Sequence, residues 1–214
     1  MKINYTYRMY GRSKGRGKNN EITNDAISIK LKKIDPLKYN IFDIGAGYGE
    51  STLAISKNYS SKQVIACEKF IDGINKIAEK SFLHSLSNIS IFHGNVHQLL
   101  DEYCPHNSIS EIWILFPDPW PKKRHFKRRL INVNFFNKIR VFLKKNATIH
   151  IASDSKIYIS DILLSIYLVK KEFKWMNQNK NEWDYSNETL PQTKYFQKAL
   201  KKGLNPIYFK LRKY

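Results

Sequence analysis

Cysteine, acid and long apolar stretches are the things this chain has least of. Its 214 residues include two cysteines, Cys67 and Cys104. They form no C-x-x-C pair and no larger framework, so neither a disulfide scaffold nor a cysteine zinc site is expected, and both read as reduced structural thiols. No run of about 18 apolar residues appears, and the opening "MKINYTYRMYGRSKGRG" lacks the apolar middle of a signal peptide. A soluble, cytoplasmic protein with no membrane partner is the expectation.

The shortage of acid is regional. Overall, 18 Asp and Glu stand against 37 Lys and Arg, a formal charge of +19. Residues 1–20 hold six bases, 119–153 ten and 189–214 seven, each without one acid, so the rest of the chain is slightly negative. Six of the eight arginines sit in two clusters, Arg8, Arg12, Arg16 and Arg124, Arg128, Arg129. Guanidinium is the better bidentate partner for phosphate. Clustered in this way, such groups form the electrostatic footprint of nucleic-acid binding.

What is present is an alternation of short apolar runs and helix-compatible segments, which implies one α/β domain with a mostly parallel, doubly wound sheet. The chain divides into a basic, flexible arm over 1–20 and a single domain over 21–214. Strands are expected at 39–43, 63–68, 89–92, 111–116 and 147–152. Helices are expected at about 50–57, 71–86, 96–103 and 130–145, the last from Leu130, Val133, Phe136, Ile139 and Leu143 at helical spacing. A further helix follows Asp154. "EFKWM" and "NPIYFKLRK" read as two closing strands, antiparallel because of short spacing. The polar segment 177–191 is long for a connection, and a loop of that length reads either as a functional lid or as disordered.

"IFDIGAGYGE" places Gly45, Gly47 and Gly49 between a strand and a helix, where glycine permits a sharp turn and close approach of a ligand. Alone the pattern is weak. Glu68, ending the next strand, adds an acceptor suited to ribose hydroxyls. Asp43, just before the turn, would repel a pyrophosphate but suits a ligand carrying an ammonium and a sulfonium, as S-adenosylmethionine does. Asn95 can accept from an adenine amino group, cap the following helix, or do both. His93 and His97 are four apart, yet Gly94 interrupts and no third ligand is near, so no metal is expected.

In "EIWILFPDPWPKK", the prolines at 117, 119 and 121 fix φ and hold Asp118 in a stiff projection at the carboxyl edge of the fourth strand. At these residues the chain resembles the bacterial tRNA (guanine-N7)-methyltransferases. The resemblance runs through "RMYGRSKGR", "FDIGAGYGES", "ACEKF", "LFPDPWPKKRHFKRRL", "ASD" and "TKYFQKALKKG", nearly the whole chain. It implies a Rossmann-like methyltransferase using S-adenosylmethionine to methylate N7 of guanine 46 in the tRNA variable loop. It also implies cofactor contacts from Asp43, Gly45, Gly47, Glu68, Asn95 and Asp118, with Asp118 catalytic. Substrate contacts would come from Lys122, Asp154, Thr193, Lys194, Tyr195 and Phe196. Arg124, His125, Phe126, Lys127, Arg128 and Arg129 would lie along the RNA.

Two residues depart from the family pattern: Asn95 stands where Asp is usual, and Phe196 where T-K-[FY]-E has its Glu. They keep a second reading open, a tRNA-binding protein of the same fold with impaired catalysis. A third, an adenine amino-methyltransferase, is disfavoured because P-D-P-W is not the [DN]-P-P-[YW] that grips an exocyclic amine. Whether the protein is a monomer or a homodimer is not legible.

Overall fold

Among the described residues, seven strands form one sheet in the order β3-β2-β1-β4-β5-β7-β6. The computed structural model describes residues 21–185 and 190–214, so the basic arm at 1–20 lies outside the described residues. The strands are β1 Asn40–Ile44, β2 Gln63–Glu68, β3 Ile89–His93, β4 Ile109–Leu115, β5 Leu143–Ser153, β6 Phe173–Trp175 and β7 Ile207–Lys213. β1 to β5 pair in parallel, and β7 runs antiparallel to both β5 and β6.

Helices α2 Glu50–Asn58 and α3 Ile71–Leu83 cover one face, with α1 Asn24–Ser28 and α7 Lys194–Lys201; α4 Val96–Tyr103, α5 Val133–Ile139 and α6 Lys156–Leu168 cover the other. Strand residues alternate between the two cores accordingly. Phe42, Ile65, Ile112 and Ile149 point into the α4–α6 side, whereas Ile41, Val64 and Trp113 point into the α2–α3 side. Strands buried on both faces explain the unbroken apolar runs. The order reverses between β1 and β4, so the carboxyl ends of those two strands open a crevice there.

Three expectations are corrected. The helix read over 130–145 spans only Val133–Ile139: Asn132 Oδ1 caps it by accepting from Phe135 N–H at 3.0 Å, and Leu143 already pairs with Ile109 in β5. The two closing strands do pair antiparallel, but not through a short connection, since α7 lies between them and β7 slots between β5 and β6. Within 177–191, a 3-10 turn at Lys180–Trp183 and a bridge from Asp184 to Ile207 give part of the expected loop fixed structure.

A buried polar network ties the sheet together away from the crevice. Glu111 accepts from Trp113 Nε1 at 2.7 Å and Tyr39 OH at 3.1 Å, and lies 3.1 Å from His150 Nε2. The Trp113 and His150 rings stack at 3.9 Å. Among the described residues no helix is long and apolar enough to cross a membrane.

Candidate active site

The floor of the crevice is built by the turn after β1. Gly45, Gly47 and Gly49 all have positive φ, and Gly45 N–H donates to Cys67 O at 2.9 Å, which pins the loop to β2. Glu68 at the end of β2 accepts Gly47 N–H at 2.8 Å on one oxygen and the Lys69 and Phe70 N–H groups at 2.7 and 2.9 Å on the other. The carboxylate is thereby locked in orientation while still lining the crevice. Gly73, inside α3, is the hidden partner of this loop: a Cβ there would meet Gly47 O at 2.3 Å, so only glycine lets α3 approach.

Asp43 is placed otherwise than its sequence position suggests. It is 1 % exposed, lies beneath the loop and does not line the crevice. Its Oδ2 accepts the Ser51 and Thr52 hydroxyls, both at 2.6 Å. Burial pushes its pKa up to about 6, with the two hydroxyls holding it back and the charge of Glu68 adding to the rise. It therefore offers a buried negative field behind the loop, not a direct contact.

Asn95 lines the crevice and caps α4, its Oδ1 accepting His97 N–H at 2.8 Å. Asn performs this cap as Asp would, so the departure from the family leaves the helix start intact. His93 and His97 do not converge on a metal: His93 Nε2 lies 3.0 Å from Lys69 O, and the His97 ring packs edge-on against Phe135.

Asp118 stands exposed at the rim, on the segment that continues β4. Phe116 and Trp120, two residues to either side, both have positive φ, 54° and 42°. Non-glycine residues in that region are strained. With two prolines between them they give the carboxylate a fixed direction. Trp120 also lines the crevice, its ring flanked by His125 and by the Arg128 guanidinium at 5.0 Å. The opposite wall is α7, where Tyr195 is half exposed. Burial, then the charges of Asp118 and Glu68, raise the pKa of its phenol.

The crevice, about 770 Å³, thus gathers Gly45, Gly47, Glu68, Asn95, Asp118, Lys127, Arg128, Arg129, Lys194 and Tyr195 from the residues singled out in the sequence. It does not gather Asp43, Lys122, Arg124, His125, Phe126, Asp154, Thr193 or Phe196. Lys123–Arg128 forms a 3-10 turn with Lys122, Lys123 and Arg124 on its exposed side.

Two expected contacts are reassigned. Arg129 is 4 % exposed; it donates to Pro119 O at 2.7 Å, pairs with Asp161 and stacks over Phe126. Its guanidinium braces the proline loop and is spent there, so it is not a phosphate contact. Phe196 is 3 % exposed and packs on Tyr185 at 5.0 Å, so position 196 faces the core. Thr193 caps α7 by accepting from Phe196 N–H at 3.2 Å.

Residues 38–209 match the family model described as "Putative methyltransferase". A tRNA (guanine-N(7)-)-methyltransferase of Neorickettsia sennetsu is 34 % identical over 161 residues, 74 % of each chain. The chain belongs to the tRNA (guanine-N7)-methyltransferase family. Its namesake from Nitrosomonas europaea is 34 % identical over 76 % of this chain and 71 % of its own, and that from Bartonella quintana 30 % over 89 % and 80 %. Solved methyltransferases share the fold at low identity. An rRNA methylase from Streptococcus thermophilus (TM-score 0.54, 16 % identity) covers 88 % of this chain and 92 % of its own. A SAM-dependent methyltransferase from Aquifex aeolicus (TM-score 0.54, 14 %) covers 84 % and 89 %.

The protein is a methyltransferase with S-adenosylmethionine as its cofactor, and the crevice fits that ligand on its own chemistry. The glycine turn admits close approach, Glu68 presents an acceptor fixed by three backbone donors, and Asp43 supplies negative potential from below. The signals for Gly73 and Glu50, neither singled out in the sequence, are modest: a glycine inside a helical run, and an acid at the first position of α2.

Proposed function

We propose that the protein methylates N7 of a guanine in tRNA, at position 46 of the variable loop, and does so in the cytoplasm. The observation that carries the reading is the juxtaposition at the rim. Asp118, set between two prolines, lines the same crevice as Tyr195, and the basic 3-10 turn begins five residues later. The three relatives named above carry the guanine-N7 activity in their names.

When bound, S-adenosylmethionine supplies an activated methyl group. Guanine N7 holds a lone pair in its neutral form, so the chain has no proton to remove first, and its task is to position. Glu68 and Asn95 would hold the nucleoside part of the cofactor, and the Gly45–Gly47 turn would admit its amino-acid part, with the buried charge of Asp43 favouring its cationic groups. Asp118 accepts from the N1 and N2 donors of guanine, fixing the base and favouring the cationic product. Trp120 and Tyr195 offer ring faces for a base drawn out of the tRNA fold. Lys122, Lys123 and Arg124, exposed beside the rim, meet the phosphates and give a strongly salt-dependent affinity. Asp154, at the end of β5, is left for contacts outside the crevice.

The buried side chain of Phe196 bears on the impaired-enzyme alternative. In this chain, position 196 fills the core, so the missing glutamate leaves no gap in the crevice wall. The test is methyl transfer to unmodified tRNA with mapping of the product nucleoside. N7-methylguanosine at position 46 is expected, and a methylated exocyclic amine, or no product, would refute the reading.

A further inference from the structure

α7 carries Lys194 and Tyr195 to the crevice, yet it arrives after a long excursion from β6 and needs something to set its position. Two attachments do so. From behind, Phe196 and Ala199 are buried, with Phe196 against Tyr185, whose hydroxyl donates to Pro191 O at 2.5 Å. From the front, the backbone N–H of Lys194 donates to Glu50 Oε2 at 2.6 Å, a contact spanning 144 residues of sequence.

That second attachment is chemically specific. The first N–H groups of a helix lack intrahelical acceptors. Thr193 supplies one for Phe196 N–H but not for Lys194, whose N–H goes to Glu50. One carboxylate thus sits in the first turn of α2 and at the N-terminus of α7, where both helix dipoles favour negative charge. Glu50 also follows directly on the glycine turn. Tyr48 of that turn has its carbonyl held by Lys80 Nζ at 3.0 Å and its ring covered by Lys194 Nζ at 3.8 Å. Tyr195 feels the charge of Glu50 together with those of Asp118 and Glu68.

We infer that Glu50 is a positioning residue. It couples the cofactor-binding turn to α7, so that filling the crevice fixes Lys194 and Tyr195 against the acceptor base. The inference rests on the function proposed above. It assigns to a residue of the cofactor half a role in acceptor placement, which burial of position 196 makes unattainable for the side chain there.

The experiment compares Glu50→Ala and Glu50→Gln with the unaltered full-length protein in three measurements. These are affinity for S-adenosylhomocysteine by calorimetry, steady-state methylation of unmodified tRNA, and amide exchange across α7 with and without S-adenosylhomocysteine. For Glu50→Ala, affinity stays within about twofold while kcat/KM for tRNA falls at least about tenfold, since a displacement of about 1 Å at the acceptor carries costs of that order or more. S-adenosylhomocysteine slows exchange of the α7 amides in the unaltered protein and not in Glu50→Ala. Glu50→Gln, which keeps an uncharged acceptor, recovers a large part of both effects. Unimpaired transfer by Glu50→Ala would overturn the role of Glu50 alone. So would a loss of transfer matched by an equal loss of S-adenosylhomocysteine affinity or by melting of the fold. Failure of the unaltered protein to methylate guanine N7 would instead overturn the function on which the role rests.

Discussion

Replacing Asp43 with Asn should stabilise the cofactor-free protein and weaken its hold on the cofactor. The carboxyl is buried, and its pKa stands at about 6 against an ordinary 3.8. At about 1.36 kcal/mol for each pH unit of that rise, ionising Asp43 costs the fold about 3 kcal/mol. For an acid whose folded value is raised, the stability is fully present below pH 3.8 and is lost as pH rises through about 6. Between pH 5 and pH 8 the unaltered protein should therefore lose roughly half of this, about 1 kcal/mol or a little more, the remainder having gone below pH 5. The Asp43→Asn side chain would not titrate. Its carbonyl can still accept from Ser51 and Thr52, although its amide N–H groups need partners of their own, which sets a constant offset of about 1–2 kcal/mol. The sign of the gap at one pH is thus less telling than its slope. Urea unfolding of both proteins, followed by tryptophan fluorescence at pH 5 and pH 8, should show the variant gaining about 1 kcal/mol relative to the unaltered chain, or about 2–4 °C in Tm. Affinity for S-adenosylhomocysteine, which carries an ammonium group, should fall at least about tenfold at pH 8, where Asp43 is ionised. A stability gap independent of pH would refute the argument, because it would mean that Asp43 is not ionised against a cost.

Asp118→Asn should lower kcat for methyl transfer by about two orders of magnitude or more while tRNA affinity changes little; near-normal turnover would remove Asp118 from the mechanism. Arg124→Ala and Arg129→Ala should separate cleanly: the first weakens tRNA binding and flattens its salt dependence without altering Tm. The second destabilises by about 1–3 kcal/mol, since Pro119 O loses its donor and Phe126 the guanidinium packed on it, while Asp161 is open enough to be hydrated. Gly73→Ala should abolish S-adenosylhomocysteine binding in a protein that calorimetry still finds folded, because the new methyl group displaces Gly47. The stability lost in acid should belong to Glu111 and His150. Burial and then the field of Lys210 lower the pKa of His150, against the pull of Glu111. Glu111 lies below its usual value because contacts from His150, Trp113 and Tyr39 outweigh its burial. Both contributions are present at neutral pH and are lost as pH falls through these depressed values. Glu111→Gln should therefore remove the carboxylate's share of the acid limb of a pH–Tm profile and leave that of His150, and it should also soften the alkaline limb, since after burial Glu111 helps to hold the Tyr39 phenol up at about 12.

Strands buried on both faces are legible because every residue is selected for apolarity at once. The runs around Ile41, Ile65 and Ile112 therefore gave β1, β2 and β4 nearly to the residue. Helical spacing misled where a strand borrowed it: Leu143 falls in register with Ile139 by coincidence and is buried by pairing with Ile109. α7 passed unseen although Thr193 is a proper cap, because its apolar contacts reduce to a few residues beside a polar segment. In the site, residue types that speak for a ligand were readable, and burial was not. Nothing in the sequence distinguishes Arg129 from Arg128, or says that Asp43 works through a loop it never passes.

The left-handed residues flanking Asp118 make the two sides of the crevice unequal material for change. Phe116 and Trp120 hold their strained backbones only because the surrounding fold over-determines them. A substitution at either of these two residues releases the whole loop and not one contact. α7, attached by one carboxylate in front and two apolar side chains behind, tolerates adjustment residue by residue. Attempts to retarget this enzyme to another acceptor should find their gains in α7 and meet only failure in the proline loop.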